Sequence, residues 1–215
     1  MLGRVVAGVL LALGITVLSA APAAAQMSRG PIALKGGLNI SKLCVDEEFL
    51  GINTETRVGG LAGVSFSPSI RDAFSLQVEA LITQKGTKVD DFDGFGTDLE
   101  ARINYLEIPV LGRYTFRLND RANAHLLAGP SLSFKLSDTQ ELGGIELEPG
   151  DDIDVAGFDF GFVLGGAVEI VQKWTIDLRY TWGFSNVNAG SALFPSDIVE
   201  AKNRAFSFSL GYRFK

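Results

Sequence analysis

The chain has 215 residues, of which 47% are hydrophobic and 25 are glycine, and its formal net charge is −6 at pH 7. This length and composition fit one sizeable folded domain and argue against a disordered chain. The sequence has no basic stripe interleaved with aromatic residues, which argues against a nucleic-acid partner.

The first predicted element is a signal peptide over residues 1–25. An apolar run at 5–18 follows a basic residue, and Ala23 and Ala25 have the small-x-small arrangement that a signal peptidase accepts. We expect cleavage after Ala25, which leaves residues 26–215 as the mature domain. A retained N-terminal membrane anchor is the alternative. No later stretch reaches the roughly 18 uninterrupted apolar residues that a spanning helix needs.

Eight segments follow in which large apolar side chains alternate with small or polar ones. Alternation with period two is typical of a β-strand that has different surroundings on its two faces. No segment has the pattern of a helix, so the sequence predicts an all-β fold. The predicted strands lie at about 31–42, 58–67, 73–86, 101–116, 123–136, 155–169, 174–184 and 204–215.

Long and short connections alternate between these strands. The long ones are at 43–57, 87–100, 137–154 and 185–203, and the short ones are SPSIRD, RLNDRA and VQK. Antiparallel up-and-down order produces this alternation and brings all long loops to one end. The sequence therefore predicts an eight-stranded antiparallel up-and-down transmembrane β-barrel.

The volume of the side chains indicates which face of the strands contacts lipid. A soluble eight-stranded barrel that carries an apolar ligand has the same alternation with its faces reversed. The interior of such a barrel is just wide enough for side chains, and the roughly forty bulky residues on the apolar faces do not fit inside it. The glycines and serines of the opposite faces do fit, so we predict that the aromatic faces point outward into lipid.

The last predicted strand, AFSFSLGYRFK, closes the sheet. A bilayer offers no water to backbone polar groups, so a sheet spans it only if the last strand pairs with the first. The aromatic positions near the terminus also suit recognition by the barrel-assembly machinery. We expect that machinery and outer-membrane lipid as partners, and a monomeric barrel.

Six fragments carry a resemblance to a known family, and together they extend over nearly the whole mature chain. They are KGGLNIS (35–41), YLEIPVLGRY (105–114), LAGPSLSF (127–134), GFVLGGAVEI (161–170), RYTWGFSNV (179–187) and the closing FSFSLGYRF. In this order and spacing the chain resembles the small outer-membrane β-barrel proteins, the OmpA/OmpX-like eight-stranded barrels and the PorT-like branch in particular. The resemblance implies a signal peptide, a single barrel and an outer-membrane location, and it implies no common biochemical activity.

Charged side chains on the small-residue faces are predicted to point toward the barrel axis. Unpaired charges in so narrow a space are costly, so we expect them to form hydrogen-bonded ion pairs that plug the lumen. A gated or leaky conduit for small solutes or ions is the alternative interpretation. The predicted structural charge network comprises Lys35, Glu79, Glu107, Arg113, Asp159, Asp177, Arg179 and Arg213, with Glu169 pointing toward the same axis.

The long connections are strongly acidic and hold 18 of the 25 Asp and Glu residues. The densest clusters are DDFDGFGTDLE (90–100) and ELEPGDDID (146–154). One interpretation is a surface that binds divalent cations and bridges to lipopolysaccharide phosphates; the other is a solvated face that keeps the loops extended. Arg102 occupies the position where a calcium loop counted from Asp91 needs a bidentate Glu, which excludes an EF-hand.

The sequence predicts no catalytic residue, no cofactor and no metal ligand. His125 is the only histidine and hence the only imidazole base, but it follows a short turn, and the next inward residue of its strand, Leu127, is no nucleophile. Cys44 is the only cysteine, so an internal disulfide is excluded. Neither a Cys/His cluster with metal spacing nor a glycine-rich phosphate loop is found.

These observations together predict a non-enzymatic barrel in a Gram-negative outer membrane. Its expected role is structural, or surface interaction through four acidic extracellular loops with an unidentified ligand, with both termini in the periplasm. A small-solute or ion channel is the alternative, and a lipid-modifying outer-membrane enzyme is a third possibility.

Overall fold

The computed structural model describes residues 30–45, 54–89, 99–142, 145–146, 154–155, 157–186, 188–190 and 201–214. The predicted signal peptide and most of the two densest acidic clusters lie outside the described residues. No helix that is long and apolar enough to cross a membrane occurs in the described part of the chain.

Eight long strands form a closed antiparallel barrel. Each strand pairs with the next in sequence, and the last strand, β8, pairs with β1, so the ring has no free edge. Four short strands lie in the connections, at Ser69–Arg71, Ile145–Glu146, Asp154–Val155 and Asn188–Gly190. The barrel strands are β1 (Ile32–Val45), β2 (Thr54–Phe66), β3 (Phe74–Val89), β4 (Leu99–Arg117), β5 (Ala122–Leu142), β6 (Phe158–Ile170), β7 (Trp174–Gly183) and β8 (Ala201–Arg213).

The eight predicted strands are confirmed, but several continue farther into the long connections than predicted. β3 continues to Val89, and β5 continues to Leu142. The reason is that polar side chains keep the strands paired beyond the apolar band: Gln84 Nε2 donates to Asn104 Oδ1 (3.2 Å), and Asn104 Nδ2 donates to Ser137 Oγ (3.0 Å). The apolar alternation in the sequence therefore ends before the backbone pairing of the strands ends.

The large apolar residues lie on the outside of the barrel, as predicted. On β8 the outward Phe206, Phe208 and Leu210 are exposed, whereas the inward Ala205 and Ser209 are buried. The same alternation holds on the other strands. In a closed sheet every strand forms its backbone hydrogen bonds with neighbouring strands, and an apolar outer surface contacts lipid favourably. Both conditions are required for a sheet to span a bilayer.

Aromatic residues gather near both ends of this outer surface. At the short-turn end the rings of Trp174 and Tyr212 make an edge contact at 4.9 Å between centroids. At the long-connection end Tyr180 and Trp182 make a similar contact at 4.5 Å, and Phe162 lies beside Trp182. Such girdles mark the two membrane interfaces of transmembrane barrels.

Candidate functional site: the charged lumen

Four charged side chains occupy the middle of the lumen and are almost fully enclosed. We call Lys35, Glu79, Asp177 and Arg179 the central cluster; their exposures are 7%, 2%, 2% and 5%. Lys35 Nζ lies 3.1 Å from Glu79 Oε1 and 2.9 Å from Asp177 Oδ2. Two cations and two anions balance, so no net charge is left unpaired at this level.

Arg179 connects opposite walls of the barrel. Its Nη1 and Nη2 donate to the two oxygens of Glu79 at 2.6 and 2.9 Å, and its Nε donates to Asp177 Oδ1 at 2.6 Å. Glu79 is on β3 and Arg179 is on β7, and three strands separate them in either direction around the ring. The forked guanidinium–carboxylate contact, a strong and directional arrangement, therefore crosses the barrel axis.

A glycine on the neighbouring strand leaves room for the Arg179 side chain. Gly165 of β6 lies opposite Arg179 in the β6–β7 register. A Cβ at Gly165 would lie 2.7 Å from Arg179 Cγ and 2.5 Å from the Leu178 carbonyl oxygen. The small residue on this inward face thus permits the long side chain to lie across the lumen.

A second ionic group, the outer cluster, lies closer to the long-connection end. Lys85 Nζ of β3 lies 2.7 Å from Glu107 Oε2 of β4. Ser131 Oγ donates to the other oxygen of Glu107 at 3.1 Å, and Thr83 Oγ1 donates to Oε2 at 3.4 Å. Glu107 is therefore held by one cation and two hydroxyl groups from the two strands that flank it, β3 and β5.

Asp159 differs from the expectation that each lumen charge has an ionic partner. Its Oδ2 accepts a hydrogen bond from Asn203 Nδ2 at 2.9 Å, and Asn203 Nδ2 also lies 3.4 Å from the Tyr105 hydroxyl. Among the described residues Asp159 makes no salt bridge, and its buried Oδ1 has no hydrogen-bond partner. The register places Asn203 rather than a basic residue within reach of this carboxylate.

A third group, the mouth cluster, lies at the short-turn end. Arg113 Nη2 lies 3.1 Å from Glu169 Oε2, and Arg213 Nη1 lies 3.2 Å from Glu169 Oε1. Arg113 Nη2 also contacts His125 Nε2 at 2.6 Å, and His125 Nδ1 contacts Thr115 Oγ1 at 3.0 Å. Two guanidinium groups therefore share one carboxylate.

The spaces between these clusters are small. One, of about 30 Å³, lies between the central and mouth clusters, and another, of about 20 Å³, lies between the central and outer clusters. A cavity needs about 10–15 Å³ of such volume to hold one water molecule. Each space therefore admits only one or two waters.

The sequence also matches a known family. A family model described as "Outer membrane protein beta-barrel domain" matches residues 24–188, which is more than half of the chain. The chain belongs to this outer-membrane barrel family. The match includes most of the barrel and ends before β8, which the structure shows to close the ring.

Solved structures of other outer-membrane barrels are similar to this chain. OprG from Pseudomonas aeruginosa has a TM-score of 0.50 at 13% identity, covering 86% of this chain and 96% of that one. Neisserial surface protein A has a TM-score of 0.44 at 14% identity, covering 85% and 97%. The outer membrane enzyme PagL has a TM-score of 0.37 at 11% identity, covering 82% and 98%. A search of curated proteins found no match.

All eight predicted lumen residues of this outer-membrane barrel lie on inward-facing positions, and the structure divides seven of them among the three clusters. Lys35, Glu79, Asp177 and Arg179 meet in the central cluster, Glu107 lies in the outer cluster, and Arg113 and Arg213 lie in the mouth cluster. Asp159 stands apart from them with Asn203.

The predicted lumen residues did not include Lys85, Asn203 or Thr115. Lys85 continues the inward alternation of Gln77 and Glu79 on the same strand, so the period-two pattern contains the signal for it. Thr115 faces His125 across the β4–β5 pair. The sequence of one strand shows which residue follows His125 on the same face, but it does not identify a partner on the neighbouring strand.

Apolar side chains also fill part of the lumen, which was expected to contain charges, glycines and serines. Leu111, Leu127, Val163 and Ala167 form a buried cluster inside the barrel. Each lies next in sequence to an outward apolar residue, as Leu127 lies next to Leu126. The alternation of polarity vanishes at such pairs. Leu127 was predicted to point inward because it lies two residues after His125, whereas Leu111, Val163 and Ala167 were not assigned to the lumen.

Among the residues that the structure describes, no group of three or more His, Cys, Asp or Glu side chains is placed to hold a metal ion. The acidic clusters at 90–100 and 146–154 lie largely outside that part of the chain. Cation binding by the loops therefore stays a prediction.

Proposed function

We propose that this outer-membrane barrel is a non-enzymatic envelope protein whose lumen is closed and whose function, structural or surface interaction, lies at its long-connection end. The observation that carries the proposal is the Arg179–Glu79 contact between opposite walls. If the barrel is closed at its middle, a partner can reach the rim and the loops but cannot pass through the interior.

The ionic clusters argue against a permeation path. A solute would have to separate Arg179 from both Glu79 and Asp177 in a space that is nearly inaccessible to water. Breaking a buried ion pair without replacing the partner costs about 3–5 kcal/mol. This barrier applies to the central cluster alone, and the outer cluster adds a second one.

The hydrogen-bond pattern around His125 argues against catalysis by a hydroxyl and imidazole pair. An arginine side chain has no acceptor, so His125 Nε2 must accept from Arg113 Nη2. The proton of the neutral ring is then on Nδ1, which donates to Thr115 Oγ1. An imidazole in this state has no free acceptor for the Thr115 proton and cannot act as its general base.

The long-connection end presents charged side chains beyond the apolar band. Arg57 Nε lies 2.7 Å from Glu100 Oε1, and Arg102 Nη2 lies 3.5 Å from Glu100 and 3.8 Å from Glu141. Partly exposed pairs of this kind contribute only about 0–1 kcal/mol each to stability. Such a rim is compatible with contact to a polar partner, which we take to be lipopolysaccharide bridged through divalent cations or an unidentified surface ligand.

We further propose that the long connections are extracellular, that both termini are periplasmic and that the barrel is a monomer assembled by the barrel-assembly machinery. A single-cysteine variant with Cys44→Ser and Asp120→Cys places a thiol in a short turn. An impermeant maleimide should label it only after the outer membrane is permeabilised. Labelling on intact cells would reverse the orientation.

A loop-trimmed barrel tests the proposed role. In this variant short turns replace residues 46–53, 90–98, 143–157 and 184–200, which join the long strands. The complete barrel, displayed on beads in a lipid disc, should retain lipopolysaccharide in the presence of Ca²⁺ and lose it with EDTA, and the trimmed barrel should retain much less. Equal retention by both barrels would contradict a role for the loops. A mass change in lipid A on expression would contradict the non-enzymatic assignment.

A further inference from the structure

We propose that the mouth cluster forms a binding site for a phosphate oxyanion at the short-turn end of the barrel. The site is distinct from the loops and from the closed middle of the lumen. It takes a tetrahedral oxyanion, supplied either as free phosphate or as the phosphate of a lipid headgroup.

The mouth contains a polar cavity that is much larger than the two small spaces on either side of the central cluster. Its volume is about 250 Å³, whereas a water molecule needs about 10–15 Å³. Hydroxyl and amide side chains contribute much of the lining, together with Arg113, His125, Glu169 and Arg213. Those hydroxyl and amide groups belong to Ser67, Ser69, Ser75, Thr115, Asn123 and Gln172.

The charges around this cavity favour an anion. Arg113 and Arg213 share the single carboxylate of Glu169, so one positive charge remains without a counter-charge in the lining. His125 does not supply a negative charge, and its neutral state follows from its acceptor role toward Arg113. A lining with this excess of one cation is electrostatically complementary to an oxyanion.

Hydrogen-bond donors remain available in the same lining. Arg113 Nε is buried and has no hydrogen-bond partner among the described residues. The Arg213 side chain is 28% exposed and contacts Glu169 through one Nη atom. Thr115 Oγ1 accepts from His125, so its own proton is free to be donated. Guanidinium and hydroxyl donors are among the groups that bind phosphate oxygens in proteins.

The surroundings of the mouth are basic as well. Arg71, Arg117, Arg121 and Lys173 lie in or beside the short turns, where Asp72 and Asp120 are the acids among the described residues. Charge of one sign around an opening raises the local concentration of the opposite ion. The acidic connections are at the other end of the barrel, so this attraction is directed to the mouth.

Calorimetric titration of phosphate into the refolded barrel tests the site. The barrel is held in a phosphate-free maltoside detergent, and chloride keeps the ionic strength constant. We expect saturable binding to the wild type and about tenfold weaker binding to Arg213→Gln, since a hydrogen bond to a charged group is lost. Lys42→Gln, which removes a cation of β1 at the long-connection end and far from the mouth, should bind as the wild type does.

A second variant tests the site independently, in case Arg213→Gln does not fold. Ser75→Ala removes a hydroxyl of the lining and leaves the ion pairs of the mouth cluster in place, and it should weaken phosphate binding by a smaller factor. Heat-modifiable gel mobility confirms that each variant is folded. Absence of saturable binding to the wild type, or equal affinity in wild type, Arg213→Gln and Ser75→Ala, would overturn the proposal.

Lipid discs distinguish the two sources of phosphate. The titration is repeated in phosphatidylcholine discs with and without phosphatidic acid, whose headgroup is a phosphate monoester. Weaker apparent binding of free phosphate in the discs that contain phosphatidic acid supports the site and assigns it to a lipid headgroup. Equal binding in both discs supports the site and assigns it to the free ion.

Discussion

The outer and inner faces of the same strands place different demands on their side chains. Leu178 and Arg179 are neighbours on β7, and 45% of Leu178 is exposed on the lipid side whereas 5% of Arg179 is exposed in the lumen. Leu178 needs only an apolar surrounding, which lipid supplies everywhere. Arg179 needs particular carboxylates at particular distances, and one of them is on the opposite wall.

The difference indicates how each face tolerates change. On the outer face one apolar residue can replace another, because lipid adapts to its shape. In the lumen each charged group is stabilised by few partners, so removing one leaves the others buried without compensation. The outer face therefore determines that the barrel lies in lipid, and the inner face determines which charged side chains pair across the lumen.

The largest effect is expected for Glu79→Ala. Arg179 would lose its bidentate partner, and Lys35 would retain only Asp177, so the free energy of unfolding should fall by about 3–5 kcal/mol. The urea midpoint of heat-modifiable mobility measures this loss. Glu55→Ala, which removes an exposed carboxylate on β2, is the matched control and should change stability by less than about 0.5 kcal/mol.

A double-mutant cycle with Glu79→Ala and Arg179→Ala separates this effect from simple loss of volume. Removal of both partners should cost clearly less than the sum of the two single substitutions, because no uncompensated partner of the bridge remains. Additive effects would show that the two residues do not interact across the lumen.

The next effect is expected on the outer face. Leu178→Arg places a charge near the middle of the bilayer, which should lower the free energy of unfolding by about 2–4 kcal/mol. Thr56→Arg places the same charge near the long-connection end, where the cost should be about 0–1 kcal/mol. Refolding into lipid vesicles, followed by urea titration, measures both. Equal costs would contradict the assigned depth of the two positions.

The smallest effect is expected for Asp159→Asn. This carboxylate is buried without a salt bridge among the described residues, and an amide oxygen at the same place still accepts from Asn203. Removing an unpaired buried charge should leave stability within about 1 kcal/mol of the wild type or raise it. A loss as large as that of Glu79→Ala, in the same urea titration, would mean that Asp159 has an ionic partner.

The sequence predicts the outer face of the barrel better than the inner one, for a physical reason. Lipid is the same around every strand, so period two identifies outward residues such as Phe206 and Phe208 without knowledge of their neighbours. Partners in the lumen depend on strand register and on which walls face each other. The sequence predicts that Lys35, Glu79 and Arg179 lie inside the barrel. It does not predict that Glu79 contacts β7, because that contact depends on how the ring closes.

Strand ends and the inward apolar residues were also beyond the pattern. Gln84 and Asn104 extend the ladder with polar pairs that resemble loop composition in the sequence. Leu111 breaks the alternation of polarity because the outward Val110 precedes it, and it was not predicted to lie inside. In both cases the backbone ladder and the closed shape decide the structure, and neither is encoded by the hydropathy of single residues.

Planar-bilayer recording of the purified wild-type barrel tests the closed lumen most directly. The central cluster predicts no steady single-channel current in the wild type, because ions would have to displace Arg179 from two carboxylates. Glu79→Ala, which removes the contact between opposite walls, should show intermittent conductance under the same voltage. Steady single-channel currents from the wild type would contradict the closed lumen and favour a channel.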